Sequence, residues 1–246
     1  MPSFWRNYPW RLRVAALALS AALVLAKFVR DNRDILVIKP NRSYGGDSVY
    51  IGPSVSDAEW HELLAHYLAI HSLTPENTAQ AIHLAVLNAT SARAGLALIA
   101  QQLARIPAAE RPPELVELAR RAEDHAWPEW PAPGLALCRV DGNTSNFVRQ
   151  PGGLASVDWE NSGWGDPAFE IADLIAHPAY EAVSATRQEW LLEEYARLCG
   201  EPSAARRMRA YLPLMLVWWV ARFARLLYEV PRGGDQRLAA RPADWQ

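Results

Sequence analysis

An α+β fold, mostly helical with a short β-hairpin near its middle, is what this sequence predicts, and three observations carry the expectation. Long segments on either side of residues 135–174 place leucine and alanine at helical spacing. Within that stretch, Leu135-Ala136-Leu137-Cys138 and Leu154-Ala155-Ser156-Val157 are short apolar runs of strand character, with Gln150-Pro151-Gly152-Gly153 as the turn between them. Each run delivers an aspartate at or just past its end, Asp141 and Asp158. With 246 residues, half of them hydrophobic, the chain is long enough to bury a core in one large domain or two lobes.

The elements follow in chain order. Residues 1–13 carry Trp5, Arg6, Trp10, Arg11 and Arg13, and the apolar run at 14–26 comes next. That run falls short of the about twenty residues a spanning helix needs. Its basic flank and its small residues have the form of a secretory signal, whereas a buried helix rich in Ala and Leu accounts for it as well. The soluble helix is the preferred reading, with membrane contact through residues 14–26 as the alternative. Asp34-Ile35-Leu36-Val37-Ile38-Lys39 is β-rich, and Gly45-Gly46 open a turn that leads to another strand-like run. Ser56 followed by Glu59 caps a helix that continues to Leu73. Residues 74–121 read as mostly helical, broken between Ile106-Pro107 and Pro113. Beyond the central stretch, Asp166 caps a helix opening at Pro167. Residues 186–198 form a helix that stops at Gly200. A final helix over 203–228 shows an apolar stripe of Leu212, Met215, Leu216, Trp219, Phe223, Leu226 and Leu227. A boundary near residue 110 separates a first part, 1–110, from a second, 111–246.

Composition narrows the function classes. Twenty-five basic residues against 27 acidic ones give no electrostatic footprint for nucleic acid. Lys27 and Lys39 are the only lysines, so arginine carries nearly all the positive charge. Cys138 and Cys199 lack metal-ligand spacing, and His61, His66 and His71, five apart, scatter over different helix faces.

The chemistry concentrates at Asp141 and Asn146 on one loop, with Asp158 beyond the turn. This is a hard-oxygen set suited to Mg²⁺ held together with substrate phosphates. The loop Arg139-Val140-Asp141-Gly142-Asn143-Thr144-Ser145-Asn146 is followed by Val157-Asp158-Trp159-Glu160 and then Gly165-Asp166-Pro167-Ala168-Phe169-Glu170-Ile171-Ala172-Asp173-Leu174. Together these segments resemble the catalytic core of the aminoglycoside phosphotransferase and choline kinase-like families, relatives of protein kinases. The pattern of those families is H-G-D-x-x-x-x-N, then I-D-W/F-E, then G-D-P-x-x-D-L-A.

The resemblance implies a protein kinase-like fold, with a mostly helical C-terminal lobe carrying the catalytic hairpin and an abridged or degenerate N-terminal lobe. It implies Asp141 as catalytic base, Asn146 and Asp158 as Mg²⁺ ligands, Glu160 as an auxiliary metal group and ATP as the phosphate donor. The acceptor is then a hydroxyl of a small molecule such as an aminoglycoside, amino alcohol or sugar, and the location is cytoplasmic, where ATP is. Arg139 and Val140 replace the usual His-Gly, and Arg139, beside the base, is a candidate for screening developing phosphate charge. In the N-terminal part, Gly45 and Gly46 look like the phosphate-covering turn, but Lys39 precedes them instead of following. Either Lys39 reaches the phosphates from an unusual position, an arginine substitutes, or the nucleotide grip is damaged. Glu59 or Glu62 is a candidate partner for the phosphate-binding lysine, and a capping box and a solvated glutamate explain them equally. A catalytically inactive pseudokinase or ligand-binding module is the alternative function.

Overall fold

A computed structural model describes residues 56–143, 146–150, 153–180 and 183–233. Lys39, Gly45, Gly46 and the apolar run at 14–26 therefore lie outside the described residues. Backbone contacts divide the chain into two compact units. Among the described residues, one takes 96–126 and 216–233; the other takes 56–95 and 127–215.

The second unit holds every described residue proposed for chemistry. Helix α1, Asp57–His71, opens with a complete capping box: Ser56 Oγ accepts from Glu59 N–H, and Glu59 accepts from Ser56 N–H at 2.9 Å. Its buried residues, Trp60, Leu63, Leu64, Tyr67 and Ile70, recur at helical spacing on one face. After it, Asn77 ties the chain into a turn, its amide donating to the Ser72 carbonyl at 2.8 Å and its carbonyl oxygen accepting from Thr74 N–H. Such side-chain bonds compete with helix formation. The helical expectation for residues 74–121 is accordingly corrected: helix is found only at α2, Ala92–Leu103, and α3, Pro113–Glu123, apart from a short 3₁₀ turn at Ala108–Glu110.

Four short strands follow, β1 (Ala136–Cys138), β2 (Phe147–Gln150), β3 (Gly153–Ser156) and β4 (Gly163–Gly165). The expected hairpin between the runs at 135–138 and 154–157 is also corrected. β1 pairs antiparallel with β4, Leu137 opposite Trp164, whereas β3 pairs with β2, Phe147 opposite Ser156. The glycines of β4 leave room for a third segment. Trp164 N–H donates to the His83 carbonyl at 2.9 Å and its own carbonyl accepts from Ala85 N–H at 3.0 Å. A Cβ on Gly163 would stand 2.5 Å from both Ala85 N and His83 O, so only glycine permits this approach.

Helix α4, Pro167–Ala176, is buried at every position from Ala168 to Ala176, as expected of a helix apolar nearly all round. Asp166 caps it, accepting from Ala168 N–H at 2.9 Å. The capping carboxylate is itself buried, and it receives Arg207 Nε at 3.0 Å and Tyr211 OH at 3.0 Å. Helix α5, Ala185–Cys199, starts at the Ser184 cap and stops at Gly200, whose φ of 70° is the left-handed stop expected of glycine. Helix α6, Pro202–Glu229, contains Pro213 and buries Tyr211, Leu214, Val217, Trp218, Ala221 and Ala224. This face is offset from the predicted stripe, whose Leu212, Leu216, Phe223, Leu226 and Leu227 are only partly buried. The deeper face is taken by Leu214, Val217 and Trp218 together with Ala221 and Ala224, one position off most of that stripe.

The first unit is smaller. Helix α3 turns Leu115, Leu118, Ala119 and Ala122 inward, and Glu229 at the end of α6 is held by Arg105 and Arg225, each at 2.8 Å.

Candidate active site

The loop leaving β1 is bent into an uncommon conformation. Val140 and Asp141 both have φ of 63°, a left-handed state that a β-branched residue rarely adopts. Such strain persists only where surrounding contacts fix it, and here they do. Glu170 on α4 accepts Val140 N–H on Oε1 at 2.8 Å and Arg139 N–H on Oε2 at 3.2 Å. Tyr180 OH donates to the Gly142 carbonyl at 2.9 Å, and a Cβ on Gly142 would come within 3.0 Å of Leu174 Cα. The loop thus lies flat against α4 and the turn after it.

That anchoring brings two of the expected site residues together. Asn146 Nδ2 donates to Asp141 Oδ2 at 3.2 Å, while Asp141 Oδ1 accepts from Asn143 N–H at 3.2 Å. The Asp141 side chain remains about a third exposed, so its carboxylate is oriented by the loop yet open to a solute. Asp158 is tied in through its neighbour: Val157 N–H donates to the Asn146 carbonyl at 2.9 Å, one step beyond the β2–β3 ladder. Asp158 itself has φ of 64° and is exposed. The strand ends at Ser156, so Asp158 and Glu160 do not share a strand face, and Glu160 sits in the exposed turn that follows.

Arg139 is the residue whose placement differs most from expectation. It is fully buried. Its guanidinium donates to the Val157 carbonyl at 3.2 Å and to the Asp141 carbonyl, and it stacks over the Phe147 ring at 4.9 Å. A cation used in this way clasps the Asp141 loop to the segment just after β3, its guanidinium turned to backbone carbonyls and to Phe147. Glu59 likewise is engaged locally, by its capping box and by Arg149 at 3.7 Å, on a helix that packs against β1 and β3.

Beneath the loop lies a buried network that sequence reasoning missed. Glu170 Oε2 also receives His71 Nε2 at 2.8 Å, and His71 Nδ1 meets Tyr195 OH at 2.7 Å. His71, Cys138 and Glu170 bring three donor atoms within 4.8 Å of one another, as a metal site would. Both nitrogens of His71 and both oxygens of Glu170 are already engaged, however, so the cluster is a hydrogen-bonded support. Burial, aided by the Glu170 charge, pushes the Cys138 thiol upward and keeps it neutral. A signal for Glu170 was present: it stands five residues after Gly165, where the G-D-P-x-x-D-L-A pattern has its second aspartate.

His177, at the end of α4, places Nε2 3.8 Å from Asp141 Oδ1 and is 8 % exposed. Burial depresses its pKa to about 4 and Arg139 adds to the effect, against the opposing pull of the Asp141 carboxylate. The imidazole is therefore neutral at neutral pH.

Comparison with known proteins gives a family. The model of a family described as phosphotransferase enzymes matches residues 43–211, more than half the chain. No curated protein matches it.

Proposed function

Because the chain belongs to the phosphotransferase enzyme family, we propose that it transfers the γ-phosphate of ATP, with Mg²⁺, to a hydroxyl of a small molecule. The observation carrying this reading is the 3.2 Å contact between Asp141 and Asn146 on a loop that Arg139 clasps, through the Asp141 and Val157 carbonyls, to the segment leading to Asp158. Phosphoryl transfer asks a protein mainly for positioning and charge stabilisation. Asp141, about a third exposed and hydrogen-bonded at both oxygens, receives the acceptor hydroxyl and its proton in this reading.

The donor set suits Mg²⁺. The Asn146 amide nitrogen is committed to Asp141, which leaves its Oδ1 for a hard cation, and Asp158 offers a second, exposed oxygen donor. When bound, the ion neutralises charge on the phosphate oxygens. Asn146 and Asp158 then orient the nucleotide side, Asp141 the acceptor side, and Arg139 with Glu170 keeps the two in register.

Isothermal titration with Mg·ATP, together with ADP release across a panel of hydroxylated small molecules, tests the proposal. Asp158→Ala is expected to lose nucleotide binding. Asp141→Ala is expected to abolish turnover and hold nucleotide affinity within about threefold, since a base contributes to the chemical step. Absence of any nucleotide binding in the wild-type chain overturns the proposal in favour of a ligand-binding module.

A further inference from the structure

We infer that His177 is a positioning residue for Asp141: its imidazole directs Nε2–H at Oδ1 and holds the carboxylate turned toward the acceptor. The inference rests on the phosphotransferase reading above and adds a residue to it.

Three features of the fold support it. Asp141 Oδ2 is held by Asn146, and among the described residues Oδ1 accepts from the backbone N–H of Asn143, a bond from within the same turn. His177 approaches that oxygen from a different element, the end of a fully buried helix, at 3.8 Å. This distance closes to a hydrogen bond by a shift of under about 1 Å, the tightening expected when a substrate fills a catalytic site. Second, the ring is fixed in place. His177 N–H donates to the Leu174 carbonyl, Tyr180 N–H returns to the His177 carbonyl at 2.9 Å, and the His177 and Tyr180 rings meet edge-on at 6.1 Å. Tyr180 in turn holds Gly142, so one short turn grips the base loop at two successive residues. Third, burial and the Arg139 charge outweigh the opposing pull of the Asp141 carboxylate and leave the imidazole neutral. A neutral ring with its proton on Nε2 is a donor that does not quench the carboxylate; an imidazolium would compete with the acceptor proton.

The test uses the full chain. Long-range ¹H–¹⁵N spectra at neutral pH, with His177 assigned through His177→Gln, should show the Nε2–H tautomer, and its signals should move in Asp141→Asn. In turnover assays His177→Phe should lower kcat about tenfold with the KM for ATP within twofold, as expected for lost orientation. His177→Gln, which retains a donor near the Nε2 position, should recover most of that loss. An Nδ1–H tautomer, or signals indifferent to Asp141→Asn, overturns the inference. Equal kcat for Phe and Gln variants overturns it too. If the wild-type chain turns over no ATP, the phosphotransferase reading falls, and the spectra still decide the contact.

Discussion

Arg139→Leu removes the clasp and keeps much of the side-chain volume. The lost interactions are two hydrogen bonds from a charged donor, to the Asp141 and Val157 carbonyls, and a cation–π contact with Phe147. Charged hydrogen bonds contribute about 1.5–3 kcal/mol each. Both carbonyls lie in part-buried surroundings where water replaces some of the loss, so the lower end applies and the net cost is about 3 kcal/mol. For a chain of this size that corresponds to a melting temperature lower by roughly 6–12 °C. Arg139→Lys, which lacks the planar fork, should lose about half as much. Denaturant unfolding and calorimetry measure the stability, and isothermal titration with Mg·ATP measures binding in parallel. Unchanged stability with reduced turnover in Arg139→Leu would refute the clasp and return Arg139 to the role of a cation acting on phosphate.

Three further outcomes follow from the geometry. His177 has a folded-state pKa of about 4 against an ordinary value of 6.5. The unfolded chain therefore binds the extra proton first, and stability present above pH 6.5 is lost as pH falls toward 4; by linkage the loss is up to about 3 kcal/mol, and His177→Gln should flatten that slope in pH-dependent unfolding. Gly163→Ala places a Cβ against the backbone of His83 and Ala85, and should destabilise by about 1–3 kcal/mol in denaturant titration. Asp166→Ala leaves Arg207 without its buried counter-charge and uncaps α4, a loss of about 3–5 kcal/mol by the same measurement, whereas Glu201→Ala, at its half-exposed partner, should cost far less.

Local signals in the sequence translated well. The Ser56–Glu59 capping box, the Gly200 stop and the Asp166 cap depend on residues within a few positions of one another, and each is found in place. The carboxylate and amide of Asp141 and Asn146 were also legible, because the loop that joins them is short. Non-local pairing was not. β4 is Gly-Trp-Gly, with no alternation to mark a strand, and its partners come from Ala136–Cys138 and from residues 83–85. Arg139 read as a charge beside a base; burial and the direction of its guanidinium, set by Phe147 and Val157, are properties of packing alone. Arg207, the partner of Asp166, stands 41 positions away, with nothing in its surroundings to announce the pairing.

The line of contacts from Tyr195 through His71 to Glu170 and on to the amides of Arg139 and Val140 has a practical result for anyone mapping this enzyme by mutation. Tyr195 and His71 are buried, yet replacing either slackens the support under the Asp141 loop by one link. A survey scored by activity alone would rank both beside Asp141 and enlarge the apparent catalytic centre toward the interior; a parallel measure of folding stability would sort the levers from the groups that meet substrate.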